Sequence, residues 1–287
     1  MMVRGRSLLA QLTRVPLLIA LAFFVVGAIV AGAVLAPWIS PHDPMSQSLL
    51  QRLHPPLFAG GELDAHILGT DQLGRDITSR VLLAMRTSLA ISAIGMFVGL
   101  TIGTLLGITS GLFGGHTDNA IMFLVDVQLA IPFTLLALTA IAILGTSPVV
   151  LVSVIGLAGW DSYARLVRGQ VLSLREVAFV EAAHAIGASR WRIARRHILP
   201  NLASPLIVLA TFNFTAIVLL ESALSYLGLG VQPPNVSLGS MISSGRDHLV
   251  GAWWISIVPG AVLVSITLLV SLIGDWLRDV LDPRLRT

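Results

Sequence analysis

Uncharged apolar runs long enough to cross a bilayer recur along the whole chain, and they constrain it more than any other feature. A spanning helix needs about 20 mostly apolar residues. The first such run is Val15–Ala36, without a charge. The second lies within Thr87–Gly115 and is also uncharged. The third runs from about Asn119 to Leu144 and holds one charge, Asp126. Gly145-Thr146-Ser147-Pro148 then reads as a turn. The fourth, Pro148 to about Ala164, is short and ends in Trp160 and Asp161. The fifth is Asn201–Leu220 and the sixth Leu249–Gly274. The expected fold is an all-α integral membrane protein of six transmembrane helices.

Composition excludes the soluble alternatives. Of the 287 residues, 55% are hydrophobic and 11% charged. A soluble domain carries about 25% charged residues, so this chain cannot cover a water-facing surface. Cysteine is absent, which removes disulfides, thiolate metal sites and a cysteine nucleophile. All 18 basic residues are arginine. They sit beside apolar segments rather than on a soluble basic face, which argues against nucleic acid as a partner.

Arginine placement sets the expected orientation. With the N-terminus inside, Arg4, Arg6, Arg14, the seven arginines from Arg165 to Arg196, Arg278, Arg284 and Arg286 are all cytoplasmic. That leaves Arg52, Arg75, Arg80, Arg86 and Arg246 outside, and both termini in the cytoplasm. Trp38, Trp160, Trp253, Trp254 and Trp276 fall near span ends, as an interfacial belt requires. The first run exceeds the usual h-region of a signal peptide and reads as an uncleaved anchor, despite Ala31-Gly32-Ala33.

The outer loop from Pro37 to Arg86 carries Pro41, Pro44, Pro55 and Pro56, so it is not one helix. Its last part, Asp76–Arg86, suits a helix lying along the surface. The second outer loop, Glu221–His248, is rich in glycine and proline, and Glu221 reads as an interfacial carboxylate. In the second span Gly95, Gly99, Gly103, Gly107 and Gly111 recur every four residues. They line one helix face and suit a tight helix–helix seam, or a surface that slides. Asp126 is costly in lipid and belongs against protein or a watery path. An interfacial anchor and a gate residue both fit it, and Pro132 follows as a potential kink.

The inner stretch Arg165–Pro200 is patterned for helix. Ser173-Leu174-Arg175-Glu176 fits a capping box, Gly187 a helix stop, and Ser189 the cap of a second helix ending by Pro200. The expected product is a short cytoplasmic helical hairpin. Its small residues suit a groove, and its arginines suit acidic residues or lipid phosphate.

Glu181-Ala182-Ala183, three residues, Gly187, and then His197-Ile198-Leu199-Pro200 resemble the EAA loop of ABC importer permease subunits. His197 stands where the fuller pattern has Ile, and His-Ile-Leu-Pro-Asn is similar to the peptide/nickel branch. The run from His66 to Asp76 resembles the Leu-Gly-Thr-Asp-x-x-Gly-Arg-Asp signature of C-type permeases, with Asp71, Gly74, Arg75 and Asp76 in it. Glu221–Gly230 and Gly274–Pro283 resemble that branch's fifth-span end and C-terminus. The resemblance covers about residues 15–287.

It implies a type I importer permease architecture with a cytoplasmic coupling-helix hairpin. Residues 1–86 would form an anchor span plus extracytoplasmic segment. Residues 87–287 would form a five-span core with its EAA loop at about 165–200. Glu181, Ala182, Ala183 and Gly187 would meet the ATPase, with Arg165 and Arg168 pinning the hairpin. Asp71, Arg75 and Asp76 suit an outer ion-pair and capping cluster, and contact with a binding protein or a second permease is the other reading. The implied partners are a second, different permease, two ATP-binding subunits that hold ATP and Mg, an extracytoplasmic binding protein and membrane lipid.

The resemblance thus implies a permease, not an enzyme, and no cofactor on this chain. The residues themselves carry no G-x-x-x-x-G-K-[ST], H-E-x-x-H or G-x-S-x-G. Short peptides are the expected cargo, with nickel or its chelate as the alternative. The histidines show no paired ligand spacing, which points to no metal site. An ion-driven carrier is the distant alternative, resting on Asp126 alone.

Overall fold

The computed structural model describes residues 15–60, 66–178 and 187–281. The expected contacts at Glu181, Ala182 and Ala183 lie outside the described residues, as do Arg4, Arg6, Arg14, Arg284 and Arg286. The described residues form helices and short turns joined by loops. Five helical stretches are long and apolar enough to cross a membrane, and six do if a bent pair counts as one span.

The first helix, α1 (Leu17–Ile39), starts after Pro16 and holds Pro37 in its last turn. Its long apolar side chains, such as Phe24 and Leu35, face outward, where lipid would cover them. Helix α2 (Ile77–Phe113) is 37 residues long, about 55 Å at the α-helical rise. Asp76 caps it by accepting a hydrogen bond from the Ser79 amide at 2.7 Å. The surface helix expected over Asp76–Arg86 is therefore not separate. It is the first turns of α2, and the boundary expected at residue 86 falls inside this helix. With no proline or glycine between Ile77 and Ser92, nothing breaks the helical hydrogen bonding there.

Gly114 and Gly115, at φ +64° and +54°, turn the chain into α3 (Gly115–Ala130). Helix α4 (Phe133–Leu144) follows at an angle of 89°. The expected third span is thus broken, not merely kinked. Pro132 has no amide to donate and pushes Ile131 to an extended conformation, φ −110° and ψ 127°. Neither half, at about 24 and 18 Å, matches a 30 Å hydrocarbon core alone.

Ser147 caps α5 (Pro148–Gly156), with proline in the first turn. Gly159, at φ +78°, links it to α6 (Trp160–Arg175). Helix α6 runs through Ser173 and ends with Glu176 at its C-cap, so the capping box expected there does not start a helix. The apolar face of α6 continues through Val167 and Val171 into the protein, and that burial overrides the local signal.

Beyond residue 186, Ser189 accepts a bond from the Arg192 amide at 3.4 Å and caps α7 (Arg190–Ile193). A π-helical segment, Ala194–Ile198, carries the chain without interruption into α8 (Leu199–Tyr226). Pro200 therefore sits in the first turn of α8 rather than ending the preceding helix. The wider π-helical turn before it accommodates a residue that has no amide to donate. A seven-residue helix, α9 (Leu238–Ser244), carries a Ser237–Ser240 capping box and packs between α8 and α10 (Trp254–Leu281).

Two apolar clusters tie the ends of the helices together. At one end Ala33, Ile77, Met85, Leu238, Met241 and Trp254 join α1, α2, α9 and α10. At the other, Ile108, Val167, Val171, Ile193, Ile198 and Leu202 join α2, α6 and the segment leading into α8.

Candidate functional site

The inner assembly is built on the glycine face of α2. Side chains of α5 and α6 pack into it so closely that almost no larger residue fits. A Cβ on Gly107 would lie 2.6 Å from the Ala164 carbonyl oxygen and 2.7 Å from Val167 Cβ. One on Gly111 would lie 2.7 Å from Val171 Cβ, and one on Gly95 2.5 Å from Ile155 Cγ2. Gly99 faces the backbone of Gly156 and Ala158, and Gly103 that of Trp160 and Ala164. Such contacts bring two backbones together, the arrangement small residues permit in membranes.

The opposite side of α6 is strapped to α3 by polar groups. Arg168 grips Asp118 with two prongs, Nε to Oδ1 at 2.5 Å and Nη2 to Oδ2 at 2.6 Å. Ser110 of α2 donates to the same carboxylate at 2.5 Å. One turn back along α6, Arg165 reaches Asp126 at 2.8 Å. Gln128 donates to Asp161 at 3.0 Å and to the Leu157 carbonyl at 3.1 Å, and it accepts from the Trp160 indole. Arg175 Nη1 donates to the Gly111 carbonyl at 3.5 Å.

Asp126 thus stands on an exposed face of α3 with an arginine partner. Pro132 lies at the break two residues past the end of α3. Arg165 and Arg168 each pair with a carboxylate of α3 and hold α3 to α6. Gly187 has φ +82°, open space around its Cβ position and an exposed surface. Ile193 and Ile198 of the returning chain are buried against Val167 and Val171 of α6. The described chain leading into α8 is therefore coupled by packing to the helix that fills the glycine groove.

A second network caps the other end of α2, at its N-terminus. Asp71 accepts from Arg75 Nε at 2.7 Å, from the amides of Leu73 and Arg75 at 2.8 and 3.0 Å, and lies 3.4 Å from Arg80 Nε. Gly74, at φ +71°, is pressed against the Ser48 backbone, so no side chain fits there. Asp76 accepts from the Ser79 amide and hydroxyl, both at 2.7 Å. His66 Nδ1 lies 2.9 Å from Asp76 Oδ1, and His42 Nδ1 3.9 Å from its Oδ2. The three ligand atoms lie within 4.8 Å of one another. The expectation that no metal ligands pair up was drawn from spacing, and the folded chain brings together histidines that spacing separates.

Glu221 is fully buried in α8. Ser225 donates to its Oε1 at 2.7 Å, and Oε2 has no hydrogen-bond partner among the described residues. The Glu221–Gly230 segment folds back on itself here, with Gly230 against Ser225 and Gly239 against Ser222. Asp118, Gln128, Asp161 and the His42–His66 pair carried no signal in sequence, because their partners lie far away along the chain.

Comparison with known proteins agrees with this architecture. The pattern described as "Binding-protein-dependent transport system inner membrane component" matches residues 103–287. Residues 18–56 match the "N-terminal TM domain of oligopeptide transport permease C". The chain is 40% identical over 258 residues to the di/tripeptide transport system permease protein DppC of Pseudomonas aeruginosa, covering 90% of this chain and 85% of the relative. It is 36% identical to the probable D,D-dipeptide transport system permease protein DdpC of Escherichia coli, covering 98% and 92%. It is 37% identical to the glutathione transport system permease protein GsiD of Pectobacterium atrosepticum, covering 90% and 84%. Among solved structures, an inward-facing MetNI methionine ABC transporter chain shares the fold, with a TM-score of 0.54 and 22% identity over 70% of this chain and 96% of that one. With its apolar helices, paired buried charges and sequence relatives in accord, the chain is a multi-pass member of the binding-protein-dependent transport system inner membrane component family, a permease subunit that works within a larger transporter complex and is not itself an enzyme.

Proposed function

We propose that this chain is one membrane-spanning subunit of an ATP-driven importer of short peptides. The carrying observation is the packing chain from the hairpin into the spans. Ile193 and Ile198 lie on Val167 and Val171 of α6, and α6 fills the glycine groove of α2. A push on the hairpin would shift α6 and α2 together, because close-packed backbones leave no slack. The Arg168–Asp118 and Arg165–Asp126 pairs would carry α3 with them.

In this reading Glu181, Ala182, Ala183 and Gly187 meet a partner ATPase, which holds ATP and Mg. A second permease, a homologous but different chain, completes the pathway, and an extracytoplasmic binding protein delivers cargo. Both termini lie in the cytoplasm, as the arginine asymmetry supports. The N-terminal 86 residues serve as anchor and outer cap, and the remainder as the moving core. Asp126 and the break at Pro132 border the path. The relatives' names favour peptides over a nickel chelate as cargo.

The test is ATPase activity of the reconstituted complex with its binding protein, titrated with short peptides and separately with nickel chelates. Stimulation by peptides is expected. Stimulation by chelate alone would overturn the peptide reading, and uptake that survives ATP depletion would overturn the ATP-driven one.

A further inference from the structure

The outer cap has a feature that its hydrogen bonding does not use up. We propose that His42, His66 and Asp76 form a binding site for a divalent late transition-metal ion, with zinc as its probe. Two imidazoles and one carboxylate are a donor set that suits zinc, with a fourth position left for water. Tetrahedral zinc with bonds of about 2.0–2.1 Å needs ligand atoms roughly 3.4 Å apart. Here the His66 Nδ1–Asp76 Oδ1 and His42 Nδ1–Asp76 Oδ2 separations are 2.9 and 3.9 Å, which bracket that distance.

The supporting contacts hold the ligands in place. His66 Nε2 faces Gln51 Oε1 at 3.3 Å. With the ring proton on Nε2, that N–H donates to Gln51 and Nδ1 is free to bind an ion; with it on Nδ1, the N–H donates to Asp76 and an ion displaces that proton. Metal-ligating histidines are usually oriented this way, through the other ring nitrogen. Asp76 is fixed by the Ser79 amide and hydroxyl, and the His42 amide donates to the same hydroxyl at 3.1 Å. The 2.9 Å contact between Nδ1 and the carboxylate oxygen holds either the imidazole's own proton or a metal ion. The presence of a second imidazole, with ring centroids 4.6 Å apart, favours the metal.

The site also has an entry path. His66 and Asp76 are buried, whereas the His42 side chain is 45% exposed. A bound ion would fasten the segment leaving α1, which carries His42, to the signature segment His66–Asp76 at the start of α2.

The test uses the full, untagged chain in lipid nanodiscs, stripped with a chelator and titrated with zinc against a competing indicator. Wild type should take up one zinc per chain and unfold at a higher temperature with zinc than without it. His42→Ala should bind about tenfold more weakly or worse, and lose the thermal shift. Asp76→Asn keeps a capping side chain and should lose zinc as well. X-ray absorption of the wild-type complex should show nitrogen and oxygen neighbours with two imidazoles. Uptake that is absent in wild type, or equal in wild type and His42→Ala, would overturn the site. If Asp76→Asn fails to fold, His42→Ala decides, because its half-exposed ring donates no side-chain bond to the cap.

Discussion

Arg168 of α6 binds Asp118 of α3 through both carboxylate oxygens, and Ser110 of α2 closes the same carboxylate from a third helix. One acid thus joins three helices at the end of the glycine seam. A bidentate guanidinium fixes direction as well as distance, which a single ammonium does not. The pair is also largely withdrawn from solvent, with side-chain exposures of 32% and 16%.

Removing either partner should loosen α3. Arg168→Ala and Asp118→Ala should each destabilise the chain, and a double-mutant cycle should return a coupling of about 2 kcal/mol. Thermal unfolding in detergent measures it. Arg168→Lys should recover only part, because it loses the two-pronged geometry. A coupling near zero would mean that the pair does not hold the helices together.

The glycine seam makes a steric prediction. Gly107→Val places its Cβ 2.6 Å from a backbone oxygen, which cannot move aside as a side-chain tip can. It should cost about 1–3 kcal/mol or separate α2 from α6, with loss of transport. Gly27→Ala, in α1 with open space around it, serves as the control and should be neutral or stabilising by up to about 1 kcal/mol. Equal behaviour of the two variants in thermal unfolding would refute a packing role for the seam.

In the outer cap Asp71→Ala should be the most damaging single change. It strips a carboxylate from Arg75 and from the buried Arg80, and it orphans the Leu73 and Arg75 amides. Breaking a buried pair from one side costs about 3–5 kcal/mol. The expected result is low yield of folded protein, read by size-exclusion chromatography. Asp71→Ala combined with Arg80→Met should recover part of the loss, since the more deeply buried of the two uncompensated charges is then gone.

The hairpin prediction concerns function rather than stability. Gly187→Arg puts a bulky charged residue at φ +82°, in the exposed turn that follows the EAA segment. Transport should fail while membrane insertion persists, and Glu181→Lys should behave alike. Wild-type peptide uptake in both variants would remove the hairpin from the coupling path.

Much of the site was legible one residue at a time. Gly187 as a turn, Ser189 as a cap and the four-residue glycine repeat are local patterns, and each places its residue on an element without reference to the rest. Pairings between distant residues were not legible in this way: Arg165 stands 39 residues from Asp126 and Arg168 50 from Asp118, so neither ion pair leaves a trace in local spacing. Local signals also misled in two places. Ser173–Glu176 has the spacing of a helix start yet closes α6, and Pro200 sits within a helical path that a π-helical segment prepares.

From the sequence alone came the helical membrane class and the apolar runs that become its long helices, because the length of an apolar run is a one-dimensional quantity that a bilayer reads directly. The tertiary structure alone decided that the third span breaks by 89°, that Glu221 is buried in α8, and that His42, His66 and Asp76 converge. Such outcomes depend on which helix faces pack together. A carboxylate or an imidazole takes its role from neighbours that chain folding, not chain order, brings within reach.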